Sequence, residues 1–279
     1  MRWVICTLVV LAFTPRALAD DLDNLRGSQP VGPATFTRWA GFYFGGDFGY
    51  SDANADFAKS TQTPIAYALR QTLLEDDFAP SLWPVLGRDN RGGTGFGGFA
   101  GYNTQWQDLI IGVEANYQRA SLHLVAPSSP ISRMTGADSG GNTYNVTLTA
   151  SGTLDTIEYA SLRARAGWIF GNILPYAFVG PVLGEANVAI TANVQGVQNP
   201  SSNGLCSGSA NPPCVPFSAT STSARNSAVL YGVVAGGGVD VALTPNFFLR
   251  GELEYVAFTP LSGVSSGIAS ARVGAGLKF

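Results

Sequence analysis

The final segment of the chain, Gly267 to Phe279, alternates. Ala269, Ala271, Val273, Ala275, Leu277 and Phe279 are small or apolar, and Ser270, Arg272, Gly274, Gly276 and Lys278 stand between them. Successive side chains of a β-strand point to opposite faces, so this pattern gives one apolar and one polar face. It suits a strand with lipid on one side and a polar interior on the other.

The pattern recurs. From Trp39 onward there are eight such segments, at about 39–50, 95–106, 109–124, 154–170, 173–192, 228–243, 247–258 and 267–279. Each exceeds the ~9–11 residues that a tilted membrane strand needs. Connector length alternates too. Gln107-Asp108, Gly171-Asn172 and Thr244-Pro245-Asn246 are tight turns, while long polar stretches fill about 51–94, 125–153 and 193–227, with a shorter one near 259–266. The predicted fold class is all-β: an eight-stranded antiparallel transmembrane β-barrel with short periplasmic turns and long extracellular loops. In the first long loop, Ile65, Leu69 and Leu73 share a helical face, so either a short helix over the barrel mouth or an irregular loop between Pro64 and Pro80 fits.

Composition agrees with a lipid-facing barrel. Charged residues are 13%, against 34 glycines, 5 Trp, 10 Tyr and 16 Phe. The N-terminus reads as a signal peptide over 1–19: Arg2, an apolar run from Trp3 to Phe13, then Ala17-Leu18-Ala19 before Asp20. Residues 20–38 read as a flexible periplasmic lead-in, and 39–279 as the barrel. Removing the leader takes Arg2 and Arg16 from 16 basic residues, leaving 14 against 19 acidic ones, a net charge of −5. Nothing in this balance points to nucleic acid.

Several segments together resemble a known family: Trp39 to Gly46, Gly98 to Asn103, Gly112 to Tyr117, Ser161 to Trp168, Leu174 to Phe178 and Leu249 to Tyr255. They are similar to the small outer-membrane β-barrel proteins of alphaproteobacteria, relatives of the OmpA transmembrane domain. Phe279, closing an alternating strand in an exported chain, resembles the C-terminal assembly signal of such barrels. The resemblance implies a surface antigen or envelope-stabilising component; some members are porin-like and a few bind hemin. The long first loop and the Cys206/Cys214 loop depart from it.

Strand parity points Asp47, Glu114, Asp240, Glu252 and Glu254 inward, together with Arg163, Arg165, Arg250, Arg272 and Lys278. Basic residues on the lipid face would cost ~2–4 kcal/mol each at the midplane. Eight strands leave an interior that side chains can fill. The expectation is a salt-bridged plug; a narrow ion path gated by the same pairs is the alternative. Cys206 and Cys214 flank a turn-rich loop and are expected to form a disulfide. Trp39, Trp106, Trp168, Tyr176, Phe247, Phe248 and Phe279 are expected to form the periplasmic aromatic girdle, with Tyr50, Tyr117 and Tyr231 in the outer one. His123, the one histidine, shares a strand face with Ser121 and is the one residue that could serve histidine-based catalysis or heme ligation.

The functional expectation is an integral protein of the Gram-negative outer membrane with a structural or surface-interaction role. The alternatives are a small porin-like channel and a hemin or ligand receptor. No enzyme activity, cofactor or metal is expected. Expected partners are outer-membrane lipid and lipopolysaccharide, the barrel assembly machinery and periplasmic chaperones. The sequence sets no oligomeric state.

Overall fold

The computed structural model describes residues 38–200 and 213–279. The expected leader, the lead-in up to residue 37 and Cys206 lie outside the described residues. Nine strands form: β1 (Gly41–Asp56), β2 (Arg88–Trp106), β3 (Leu109–Val125), β4 (Ile131–Met134), β5 (Thr143–Trp168), β6 (Ile173–Asn199), β7 (Val215–Ala242), β8 (Phe247–Phe258) and β9 (Ser265–Lys278). All pairings are antiparallel. Eight strands close a barrel in the order β1-β2-β3-β5-β6-β7-β8-β9, with β9 returning to β1 through Tyr43↔Lys278 to Asp56↔Ser265. β4 is a short addition to β5. The three expected tight turns join strands at one end, and both barrel termini lie there too. Gln107 and Gly171 reverse the chain with φ of 54° and 63°.

Outward side chains from Leu109 to Tyr117 on β3 and from Trp168 back to Ala160 on β5 are apolar. They form the lipid belt, and Arg119 and Glu158 mark its upper limit. Trp106, Trp168 and Phe279 face outward at the periplasmic end, and Tyr50, Tyr117 and Tyr231 do so above. Three expected girdle residues do not. Trp39, Tyr176 and Phe248 are buried in the interior. Tyr176 and Phe248 have the parity of the lumen residues Phe178 and Arg250, and Trp39 precedes β1 and closes the barrel from below.

The strands are longer than the alternating segments suggested. β6 has 27 residues and β7 has 28. At about 3.3 Å per residue and a tilt of about 40°, β6 rises roughly 65 Å. A lipid belt takes about 25 Å of that. Much of the polar sequence expected to form loops is therefore strand above the membrane: 51–56, 88–94, 143–153, 193–199 and 215–227.

Above the belt the polarity of the wall inverts. In the lower half of β5, Ser161, Arg163 and Arg165 point in, and Leu162, Ala164 and Ala166 point out. In its upper half Val146, Leu148 and Leu154 point in, while Asn145, Thr149 and Ser151 face solvent. The inward parity changes from odd to even numbers. A change of parity in a continuous strand requires an extra residue. β5 supplies it as a bulge between Asp155 and Glu158 against β6. β7 has its own, where Ala186↔Ala228 is followed by Val188↔Arg225. There Ser227 takes a φ of 52° and its N–H donates to Asn187 Oδ1 at 2.8 Å. β6, between them, keeps even-numbered residues inward from Leu174 to Val194.

The first loop packs on the inner face of this upper wall. Phe57, Ile65, Leu69, Leu74, Val85 and Leu86 are buried in one cluster with Val146, Leu148, Ile190 and Val194. The loop holds two short helices, α1 (Gln62–Ala68) and α2 (Leu73–Phe78), the latter capped by Thr72, whose Oγ1 accepts from Glu75 N. Ile65 and Leu69 are buried as the helical face suggested. Leu73 instead opens the second helix and stays exposed, and Leu74 takes the buried place.

Candidate functional site

The lumen is stacked in layers, readable along each strand. On β8 the inward order from the periplasm is Phe248, Arg250, Glu252, Glu254, Val256. On β3 it is Ile110, Gly112, Glu114, Asn116, Gln118, Ala120. The lowest layer is apolar: Trp39, Tyr43, Phe99, Ile110, Leu174 and Phe248. Phe248 meets Trp39, Tyr43 and Phe99 at ring-centroid distances of 6.0, 6.2 and 6.2 Å. Higher up, Val182, Leu230, Val234, Val256 and Ile268 belong to the apolar cluster that continues into the extracellular wall.

Charged side chains occupy the space between these layers. Arg250 Nη1 donates to Glu114 Oε2 at 2.8 Å, and its Nε to Asp240 Oδ1 at 2.9 Å. Arg165 Nη2 donates to Asp240 Oδ2 at 2.8 Å. One step up, Arg163 Nη1 reaches Glu252 Oε1 at 2.7 Å and its Nη2 reaches Glu254 Oε2 at 2.5 Å. Arg272 joins the same two carboxylates, donating to Glu252 at 3.1 Å and pairing with Glu254. Arg163 lies 3.7 Å from Glu114, which links the two tiers. Four guanidiniums and four carboxylates thus make one network, each side chain at most 4% exposed. Buried charges persist only when paired and hydrogen-bonded, and this set is neutral.

Aromatic side chains complete it. Tyr43 Oη donates to Glu114 Oε2 at 2.9 Å and accepts from Arg165 Nη1 at 3.0 Å. Tyr176 Oη donates to Glu252 Oε2 at 2.9 Å, and Tyr159 Oη donates to Glu254. The guanidinium of Arg165 sits 3.8 Å from the Tyr176 ring centroid, that of Arg250 3.9 Å from Phe99, and that of Arg163 4.5 Å from Phe178. Faces of aromatic rings favour a cation where water is excluded. The sequence reading missed these residues. Their signal was parity, since Tyr43 precedes Asp47 by four positions and Tyr159 precedes Arg163 by four.

Eight of the ten residues expected in the lumen network form it. Asp47 is half-buried above it and accepts from Gln118 Nε2 at 2.8 Å rather than pairing with a cation. Lys278 is buried at the periplasmic end, where its Nζ donates to the Arg38 carbonyl at 2.8 Å and stands 4.0 Å from the Trp39 ring centroid. Phe279 lies outside the barrel, stacked on Phe44 at 5.8 Å, with its N–H donating to the Phe42 carbonyl at 2.9 Å. Cys214 is disulfide-bonded. His123 faces outward above the lipid belt, hydrogen-bonded to Asp155. It is far along β3 from the lumen charges.

Fold and lumen define a class: a transmembrane β-barrel of the outer-membrane type whose interior is filled with side chains. The comparisons agree. Residues 27–279 match the family described as outer membrane protein beta-barrel domain, and the chain belongs to it. It is a protein of the Gram-negative outer membrane. Among solved structures it is similar to Neisserial surface protein A, with 17% identity over 86% of this chain and 98% of that one, at a TM-score of 0.39. Ail, the attachment invasion locus protein of Yersinia pestis, shows 15% identity over 86% and 99%, with a TM-score of 0.33. The N-terminal β-barrel domain of Pseudomonas aeruginosa OprF shows 14% over 86% and 98%, with a TM-score of 0.36. No curated protein matches the chain in sequence.

Proposed function

We propose that this protein is a structural and surface-interaction component of the outer membrane, a closed barrel carrying a folded extracellular lobe. One observation carries the reading: the ion-pair network lies between two apolar layers. A hydrated ion entering from the periplasm passes Lys278 at the rim and then meets Trp39, Phe248 and Phe99 before it reaches the ion-pair network, and a dry constriction of this kind opposes conduction. The channel alternative would require both apolar layers to move. The material above the membrane is substantial, since β4, the upper halves of β5, β6 and β7 and the first loop form one core. Such a lobe suits contact with other molecules outside the cell. Lipopolysaccharide would surround the belt, and the assembly machinery would receive the strand ending in Phe279. Planar-bilayer recording of the refolded mature chain tests the reading. Silence at ordinary holding voltages is expected; large, stable, ohmic openings would replace the closed barrel with a channel.

A further inference from the structure

The upper wall ends on an unpaired strand edge. Above its bulge, β7 pairs with β6 from Val188↔Arg225 to Gln198↔Val215. On its other side the pairing with β8 begins only at Gly232↔Phe258, just below the Tyr231 carbonyl that accepts from Thr259 N. β8 goes no higher because residues 259–264 turn back at once, bridged at Leu261↔Val264. No described residue pairs with this second edge of β7 from Val215 to Leu230. About half of the backbone groups in a strand point to each side, so a row of donors and acceptors stands open above the membrane.

Proteins ordinarily blunt a long edge with lysines, prolines, inward charges or a covering segment. This one is barely protected. Between Pro216 near its start and Arg225 near the bulge lie Phe217, Ser218, Ala219, Thr220, Ser221, Thr222, Ser223 and Ala224, without a charge or a proline. Its two faces differ. Phe217 turns to the concave side, where it meets Tyr144 edge-on at 6.3 Å. Ser218, Thr220 and Thr222 face solvent. Arg225 shares the concave parity of Phe217, is exposed at the lower end of this edge, and has no ion pair among the described residues.

A second copy in the same membrane cannot cover the edge by antiparallel pairing. The two-fold axis for that pairing is perpendicular to the sheet, hence in the membrane plane, and it would invert one barrel. A two-fold along the strands would tip the second barrel, because strands tilt by about 40° from the barrel axis. The occupant must be a segment free to align by itself.

We propose that the edge of β7 from Val215 to Arg225 receives an extended segment of another protein as an added antiparallel strand. Its chemistry follows from the edge. Apolar residues at alternate positions continue the concave face, where a carboxylate at the end of the same row lies opposite Arg225, and hydroxyl or amide residues between them continue the outer face. Main-chain hydrogen bonds supply the affinity and the alternating side chains the selectivity. The inference deepens the surface-interaction reading and rests on it.

The probe is a synthetic peptide of residues 187–198 carrying Val188→Glu, a sequence that already pairs with β7 at its other edge, where residue 188 stands opposite Arg225. It is titrated against the full chain in lipid nanodiscs. Saturable binding is expected, with slowed amide exchange confined to 215–225 and weakening when Arg225→Ala removes the cation. Two further peptides carry N-methyl groups on alternate residues, one set for each edge of the peptide. One set should bind as the parent does. The other should bind about tenfold or more weakly, because it loses several hydrogen bonds of about 1 kcal/mol each. No binding, equal binding of both N-methyl sets, or protection elsewhere on the lobe overturns the proposal. So does cross-linking of two Thr220→Cys copies without peptide, which would make a second copy the occupant. None of these outcomes opens the lumen, so bilayer silence continues to report separately on the closed barrel.

Discussion

Replacing Arg163 with methionine removes one of the two guanidiniums that bridge the tiers of the lumen network, the other being that of Arg250. Arg163 is fully buried and bonds Glu252 at 2.7 Å, Glu254 at 2.5 Å and Ser161 Oγ at 2.9 Å. Afterwards Glu252 keeps Arg272 and Tyr176, and Glu254 keeps Arg272 and Tyr159. No carboxylate loses its last donor, but four buried carboxylates then face three guanidiniums. Removing one partner of a buried pair costs about 3–5 kcal/mol, and the retained donors place this case near 3. Adding Glu254→Gln restores neutrality while leaving an acceptor for Tyr159. The two changes should therefore couple favourably by about 1–2 kcal/mol. Urea unfolding in lipid vesicles, followed by tryptophan fluorescence, reads both values. A single variant within about 0.5 kcal/mol of the parent, or a double variant with purely additive loss, would refute the reasoning. Conductance supplies a second check. The apolar layers stay in place, so the single variant should remain silent; if the ion pairs alone sealed the lumen, it would conduct.

Deleting Phe279 removes its stacking on Phe44 and its backbone bond to Phe42, and should leave protease-sensitive chain in the periplasm; normal heat-modifiable barrel in the outer membrane would count against an assembly role. Cys214 is expected to pair with Cys206, stabilising the upper hairpin by about 2–3 kcal/mol at most, and intact cells treated with alkylating agent without reductant should show neither thiol labelled. Burial pushes the Asp138 carboxyl up, but hydrogen bonds from Tyr144, Asn142 and Gly140 outweigh it and hold it below the usual carboxylate value. A depressed carboxyl stabilises the fold above its unfolded pKa and ceases to as pH falls through the folded value. Amide exchange in the β4–β5 hairpin should therefore quicken below about pH 4, and Asp138→Asn should flatten that dependence.

The barrel was legible because lipid enforces alternation. Wherever apolar residues must face acyl chains, as in Leu162-Arg163-Ala164-Arg165-Ala166, the two faces differ and the period shows. The same logic assigned all eight network residues to the interior. Above the belt the signal weakens. Thr and Ser on the outer face of β5 and β7 resemble loop composition, and Ala or Gly on the inner face adds little contrast. Only Val146, Leu148 and Leu154 betray the strand, and they do so with parity opposite to Arg163 and Arg165. The bulges at Asp155/Glu158 and at residues 226–227 break the count between the two halves, and no single-residue signal in the sequence announces them. Tyr176 and Phe248 were misplaced for a different reason. Aromatic type suggested a girdle, while their parity already placed them with Phe178 and Arg250.

The two apolar layers also explain how a cluster of eight charges can be tolerated. Coulomb attraction between paired ions grows as the surroundings become less polarisable. Trp39, Phe248 and Phe99 below, and Val234, Val256 and Ile268 above, keep the network away from bulk water at both ends. Tyr43, Tyr159 and Tyr176 line the boundary with one polar atom each, turned toward a carboxylate. Desolvation that would be ruinous for a single ion is then shared across a neutral, mutually bonded set. An open lumen would reverse this balance, because water would screen every pair while the barrel lost its packing. Eight strands are too few to enclose both a hydrated path and this many side chains. The charges that a sequence reading could take for the lining of a pore are, in this barrel, part of what fills it.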